Sequence, residues 1–138
     1  MTAADVQPSA SIVSTGTSLR TIGNHIYGYS GALSVADTET DLINSDSGSG
    51  YIVGNWAIFY IEPSGASDDY RFRLYFNQVL VASVQLGQQR VNDANVTSSV
   101  SNIIIPPRTQ VQITGENVAD TSSNVIAATL AGRVYGAE

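Results

Sequence analysis

DYRFRLYFNQVLVASVQL, residues 69–86, is the stretch from which the fold is read. Its first half alternates strictly, with Tyr70, Phe72, Leu74 and Phe76 on one parity and Arg71, Arg73 and Tyr75 on the other. Successive side chains of a β-strand point to opposite faces, so this pattern predicts a strand with one face buried and one wet. The second half is most apolar at Leu80, Ala82, Val84 and Leu86. A two-residue loop at Asn77 and Gln78 would pair Phe76 with Val79 and turn Ser83 and Gln85 inward. A three-residue loop, residues 77–79, pairs Phe76 with Leu80, Leu74 with Ala82 and Phe72 with Val84. A slip of one residue reverses every side chain, so the three-residue loop is the expected connection.

The same periodicity extends in both directions. HIYGYSGALSV, from His25, has aromatic and β-branched residues interrupted by Gly28 and Gly31, which predict a bend or bulge. TETDLIN reads as a short strand and SDSGSG after it as a loop. YIVGNWAIFYIE, residues 51–62, is apolar on both parities. A sandwich strand needs only one apolar face, so its other face calls for a cover, either the N-terminal arm or another subunit. In SNIIIPPRTQVQITGEN, residues 101–117, Pro106 and Pro107 cannot donate ladder hydrogen bonds and should turn the chain between two strands. The Ile103 to Ile105 run is too continuous for a half-exposed strand and is expected to close one end of the core. Beyond the prolines, Thr109, Val111 and Ile113 should face inward, with Gln110, Gln112 and Thr114 outward. The last strand puts Ile126, Ala128, Leu130 and Val134 on one face and the smaller Ala127, Thr129 and Ala131 on the other.

About eight strands separated by turn signals, with no convincing helix, predict an all-β fold. We expect a single jelly-roll-like antiparallel β-sandwich, with an Ig-like sandwich as runner-up. Residues 24–138 form this domain, preceded at 1–23 by an extended N-terminal arm or edge strand. A chain of 138 residues is long enough for one real core.

Composition narrows function. Charged residues are 13% of the chain, against roughly 25% in ordinary soluble domains. The net charge is −6, and the basic residues are six scattered arginines, outnumbered by twelve carboxylates. A nucleic-acid ligand or an anionic membrane surface would call for a clustered basic face, so neither is an expected partner. The N-terminus lacks the pattern of a signal peptide, and no apolar run approaches a membrane span. Without cysteine there is no disulfide, thiolate nucleophile or zinc knuckle.

Catalytic chemistry is equally sparse in the sequence. A serine triad would have to use His25, the one histidine, which reads better as a strand-edge residue. SDSGSG has no lysine to serve a phosphate loop. The carboxylates Asp37, Glu39 and Asp41, and the pair Asp68 and Asp69, could in principle attract calcium or act on a glycosidic bond, but a solvated strand edge and a turn explain them. The sequon at Asn95 to Thr97 falls in an expected loop and reads as accidental. We expect no enzyme activity and no cofactor. Trp56 and seven tyrosines leave sugar stacking open.

Residues 48–81 and 103–136, with their LYFNQVLV centre, proline-led IPPRTQVQIT strand and terminal LAGRVYG strand, resemble small jelly-roll structural proteins of viral particles, a likeness that covers about residues 24–138. Among these, the likeness is greatest to capsid decoration (cement) proteins of tailed bacteriophages. The resemblance implies a structural virion protein, made in the host cytoplasm and seated as a homotrimer on the outer capsid surface, with the major capsid protein as partner. Val6, Ile12, Val13 and Leu19 on the arm, with Trp56, are the candidate capsid or subunit contacts. The alternative is a carbohydrate- or receptor-binding β-sandwich module of the spike or fibre type.

Overall fold

The computed structural model describes residues 18–62, 69–87, 100–119, 121 and 123–136. These form ten strands and no helix: β1 (Ser18–Ile22), β2 (His25–Tyr29), β3 (Leu33–Val35), β4 (Thr40–Asp46), β5 (Tyr51–Glu62), β6 (Asp69–Phe76), β7 (Val79–Gly87), β8 (Val100–Ile105), β9 (Gln110–Asn117) and β10 (Asn124–Tyr135). One sheet runs β1-β2-β10-β5-β8, with β3 following β2 along the same edge of β10; the other runs β4-β9-β6-β7. Every pairing is antiparallel. From β4 onward the chain passes repeatedly between the two sheets, so the fold is the expected jelly-roll-like β-sandwich.

The two strands beyond the expected eight have local causes. Ser18–Ile22 folds as a strand because it hairpins onto β2 through Gly23, whose φ of +62° suits a tight turn. The HIYGYSGALSV segment is split at Gly31, which has a φ of +78°. Ser30 maintains the ladder at the break: its N–H donates to the Ala128 carbonyl at 3.0 Å, and its Oγ accepts the Ala128 N–H at 2.9 Å.

The β6–β7 register is the expected one in its body, with Leu74 opposite Ala82 and Phe72 opposite Val84. The extra residue is placed differently. Asn77 and Gln78 make a two-residue turn, both with positive φ (51° and 72°), and a bulge between Leu74 and Tyr75 absorbs the odd residue. The three-residue loop is thus corrected to a two-residue turn plus a bulge. Asn77 anchors the tip: its N–H donates to the Gln110 carbonyl and its Oδ1 accepts the Gln110 N–H, both at 2.9 Å.

Between the sheets lies one apolar core that includes Ile26, Val35, Leu42, Ile43, Ile52, Trp56, Ile58, Tyr70, Phe72, Leu74, Val111, Ile113, Ile126, Leu130 and Val134. Leu42 and Ile43 are adjacent yet both buried, because a register shift between Asp41 and Ile43 turns both inward. A polar clasp crosses the core at one end. The Tyr70 hydroxyl donates to the Val35 carbonyl at 2.7 Å and accepts from Asn124 Nδ2 at 3.2 Å, joining β6 to β3 and β10.

The proline corner is built as expected, with β8 ending at Ile105 and β9 beginning at Gln110. Ser47 secures it, donating to the Pro106 carbonyl at 2.7 Å while its Oγ accepts the Thr109 N–H at 3.0 Å. The isoleucine triplet is a correction. Ile105 is buried and Ile103 half-buried, but Ile104 is 64% exposed, since β8 is an edge strand with an ordinary alternating pattern.

Candidate interaction surface

The two outer faces of the sandwich differ in chemistry. On the four-stranded sheet, the outward residues of β9 join those of β4 and β6 in a continuous polar network. Gln112 donates to Asp41 at 2.6 Å, Asn44 to the same carboxylate at 3.2 Å, and Gln110 to Asn44 Oδ1 at 3.0 Å. Glu39 accepts from Thr114 at 2.6 Å and from Tyr75 at 2.7 Å, and Arg73 lies 3.5 Å from it while pairing with Glu116 at 2.8 Å. Burial opposes ionisation of Glu39, but the hydrogen bonds from Thr114 and Tyr75 and the Arg73 charge outweigh it, so its carboxyl lies below the ordinary value. The hydrogen bond to Glu39 in turn holds the Tyr75 phenol above its ordinary value. The carboxylates at 39 and 41 thus serve a sheet-face network. No group of three His, Asp or Glu that could hold a metal occurs among the described residues.

The six-stranded sheet presents aromatic and aliphatic groups instead. The strand registers align its outward residues in rows. Ile22, His25, Arg133, Val53 and Ile104 make one row, and Arg20, Tyr27, Ala131, Asn55 and Asn102 the next. Tyr27 and Tyr29 are about half exposed, and Tyr51, Val53 and Tyr135 nearly as much. Tyr51 and Tyr135 stack with ring centroids 5.5 Å apart, and the Arg133 guanidinium sits 5.5 Å from the Tyr135 ring centre. A groove of about 730 Å³ runs beside them, lined by Val53, Asn55, Asn102 and Ile104 with the backbone of Gly54 and Ile103.

The two central strands approach very closely here. Gly54 lies opposite Gly132, and a Cβ on Gly54 would collide with the Ala131 carbonyl oxygen. Of the small residues expected on the outward side of the last strand, Ala131 is exposed, Thr129 half-buried and Ala127 already covered within the chain.

No family model matches the sequence, and no curated protein matches it. Among solved structures, the chain is similar to the Eiger TNF of S. frugiperda, at 9% identity and a TM-score of 0.49, over 83% of this chain and 96% of that one. It is also similar to the dimeric latent PorU of Porphyromonas gingivalis, at 12% identity and a TM-score of 0.39, over 91% of this chain but only 12% of that one.

The contact residues expected from the sequence fall in different places. Val6, Ile12 and Val13 lie outside the described residues, and Leu19 lies in β1 opposite Gly28. Trp56 is 2% exposed and belongs to the core, so within one chain it offers neither a subunit contact nor a sugar platform. The reason is parity: Ile52, Trp56 and Ile58 share the inward side of β5, leaving Tyr51, Val53 and Asn55 outside. Sequence reasoning marked β5 as needing a cover but did not single out Tyr27, Tyr29, Tyr51 or Tyr135. Their common signal is alternation on three strands that pair far apart in sequence.

Proposed function

We propose that this chain is a non-enzymatic structural protein of a virion, a decoration protein that binds the outer surface of a bacteriophage capsid as a homotrimer. The observation that carries the self-association is the sidedness of the sandwich. One outer face is a self-satisfied polar network, while the other exposes four tyrosines, Val53 and Ile104 with two arginines, a composition typical of protein interfaces. The occupant of that face is a second copy of the chain, which supplies the cover that β5 calls for. The capsid as partner is supported by the LYFNQVLV, IPPRTQVQIT and LAGRVYG segments and their resemblance to cement proteins.

Size-exclusion chromatography with light scattering tests the first half. The parent chain should run as a trimer, and Val53→Glu combined with Ile104→Glu should run as a monomer with an unchanged β-sheet circular-dichroism spectrum. Co-sedimentation with purified phage capsids tests the second. A parent protein that is monomeric at tens of micromolar and ignores capsids sinks this function.

A carbohydrate- or receptor-binding role is the second reading, favoured by the exposed Tyr51–Tyr135 stack with its neighbouring arginine. It predicts glycan-array signals that Tyr135→Ala abolishes.

A further inference from the structure

The polar network of the four-stranded sheet carries more acceptors than its own donors use. Glu39 takes its contacts from Thr114, Tyr75 and Arg73 all on Oε2. Gln112 and Gln78 each donate one amide N–H, to Asp41 and Gln110 respectively. Among the described residues, nothing donates to Glu39 Oε1, Gln78 Oε1 or Gln112 Oε1. These three side chains line one recess of about 260 Å³. Its floor is Gln112 and Thr114 of β9, flanked by Glu39 and Asp41 on the β4 side and by Tyr75 and Gln78 on the β6 side. All six lining side chains carry hydrogen-bonding groups.

The lining is fixed before any ligand arrives. Gln112 is held on Asp41 and Thr114 on Glu39, both at 2.6 Å, and the Tyr75 hydroxyl ties the two flanks together at 2.7 Å. Little rotamer freedom is left to lose on binding. Gln78 stands out because its backbone opposes its presence. It holds a φ of 72° in a two-residue turn whose second position favours glycine, yet it places an exposed amide at the recess. A side chain kept in a disfavoured conformation points to a use for that side chain.

We propose that this recess binds a single uncharged sugar ring, whose hydroxyls donate to the spare oxygens of Glu39, Gln78 and Gln112 and accept the remaining amide N–H groups of the two glutamines. A sugar hydroxyl both donates and accepts, and a carboxylate set beside two primary amides serves both needs. The volume lies just under the roughly 300 Å³ at which pockets for drug-sized ligands begin, which suits one ring and not an extended chain. Charge sets the selectivity. Glu39 and Asp41 repel a carboxylate- or sulfate-bearing sugar, and Arg73 is already engaged by Glu39 and Glu116. The recess lies on the face opposite the exposed tyrosines. It is distinct from the Tyr51–Tyr135 stack and does not depend on self-association.

The test titrates the full nitrogen-15-labelled chain with the methyl glycosides of glucose, galactose and mannose, and with the uronic-acid counterpart of each. At least one hexoside should bind saturably, with backbone and glutamine side-chain shifts centred on residues 39–41, 75–78 and 110–114. Its uronic-acid counterpart should bind at least tenfold more weakly. Gln78→Gly is the decisive variant, because the turn favours glycine and a loss of binding cannot be put down to unfolding. It should weaken binding at least fivefold and Gln112→Ala at least tenfold, while Gln85→Ala, on the same sheet face outside the recess, should leave it within twofold. Absence of saturable binding by all three hexosides, or unchanged binding by Gln78→Gly and Gln112→Ala, overturns the site. Equal binding of hexoside and uronic acid overturns the assignment to an uncharged ring. Shifts centred on Tyr51 and Tyr135 that Tyr135→Ala abolishes place the sugar on the other face, and the proposal fails.

Discussion

Tyr70→Phe removes one oxygen from a fully buried side chain and is a sharp probe of how the sheets are locked together. The ring stays, so no apolar volume is lost. What disappears is the donor to the Val35 carbonyl and the acceptor of the Asn124 amide, 2.7 and 3.2 Å away. A buried group deprived of its partner costs about 1–3 kcal/mol, and the longer contact to Asn124 should fall at the low end. The expected loss is therefore about 2–4 kcal/mol. With an unfolding entropy of about 0.3 kcal/mol/K for a chain of this length, Tm should fall by roughly 7–13 °C. Asn124→Ala and the double variant complete a thermodynamic cycle, and a coupling of about 0.5 kcal/mol or more is expected between groups in contact. Urea unfolding of the four proteins measures it. A Tyr70→Phe effect below about 0.5 kcal/mol, with no coupling, would refute the idea that this clasp joins the sheets.

Three further substitutions test other parts of the fold. Glu39 has a lowered carboxyl pKa in the folded state, so its stabilisation is present at neutral pH and is lost as pH falls below the ordinary value of 4.5 through the folded one. The Tm gap between parent and Glu39→Gln should accordingly narrow from pH 7 to pH 3 in thermal melts. Gln78 holds a φ of 72°, a left-handed conformation that costs a side-chain-bearing residue about 1–2 kcal/mol, so Gln78→Gly should raise stability by about 0.5–1 kcal/mol despite losing its contact to Gln110. Gly132→Ala would place a methyl 2.7 Å from the Val53 carbonyl oxygen, forcing β5 and β10 apart, and should cost about 1–3 kcal/mol by denaturant unfolding.

The strands most legible from sequence are those with clean alternation and one wet face. Tyr70, Phe72 and Leu74 on β6, Val111 and Ile113 on β9, and Ile126, Ala128, Leu130 and Val134 on β10 are buried as the pattern requires. Misreadings cluster where backbone irregularity breaks the period of two. The bulge at Val81 of β7 moves the odd residue of the β6–β7 hairpin out of its turn, and the register shift before Ile43 buries two neighbours at once. Ile104 and Trp56 show a different limit. A run of apolar residues does not reveal which parity faces the core, because that depends on which strands lie alongside and which sheet lies beneath. The tyrosine-rich face was illegible for the same reason: it is assembled by β10 drawing β2 and β5 together from positions about 25 residues apart in the chain.

That placement of β10 has a consequence for how the protein is made. Of the ten described strands, the last to be synthesised is the one that lies between β2 and β5. Until residues 124–135 are translated, both strands face a vacant slot in their sheet, and the apolar layer beneath stays open to solvent. The sandwich as a whole therefore closes only once β10 is available, since pairings such as Ile26 with Gly132 close a loop of over a hundred residues and cannot form early. Nascent chains waiting with two unfilled strand edges are the stage most exposed to misassembly.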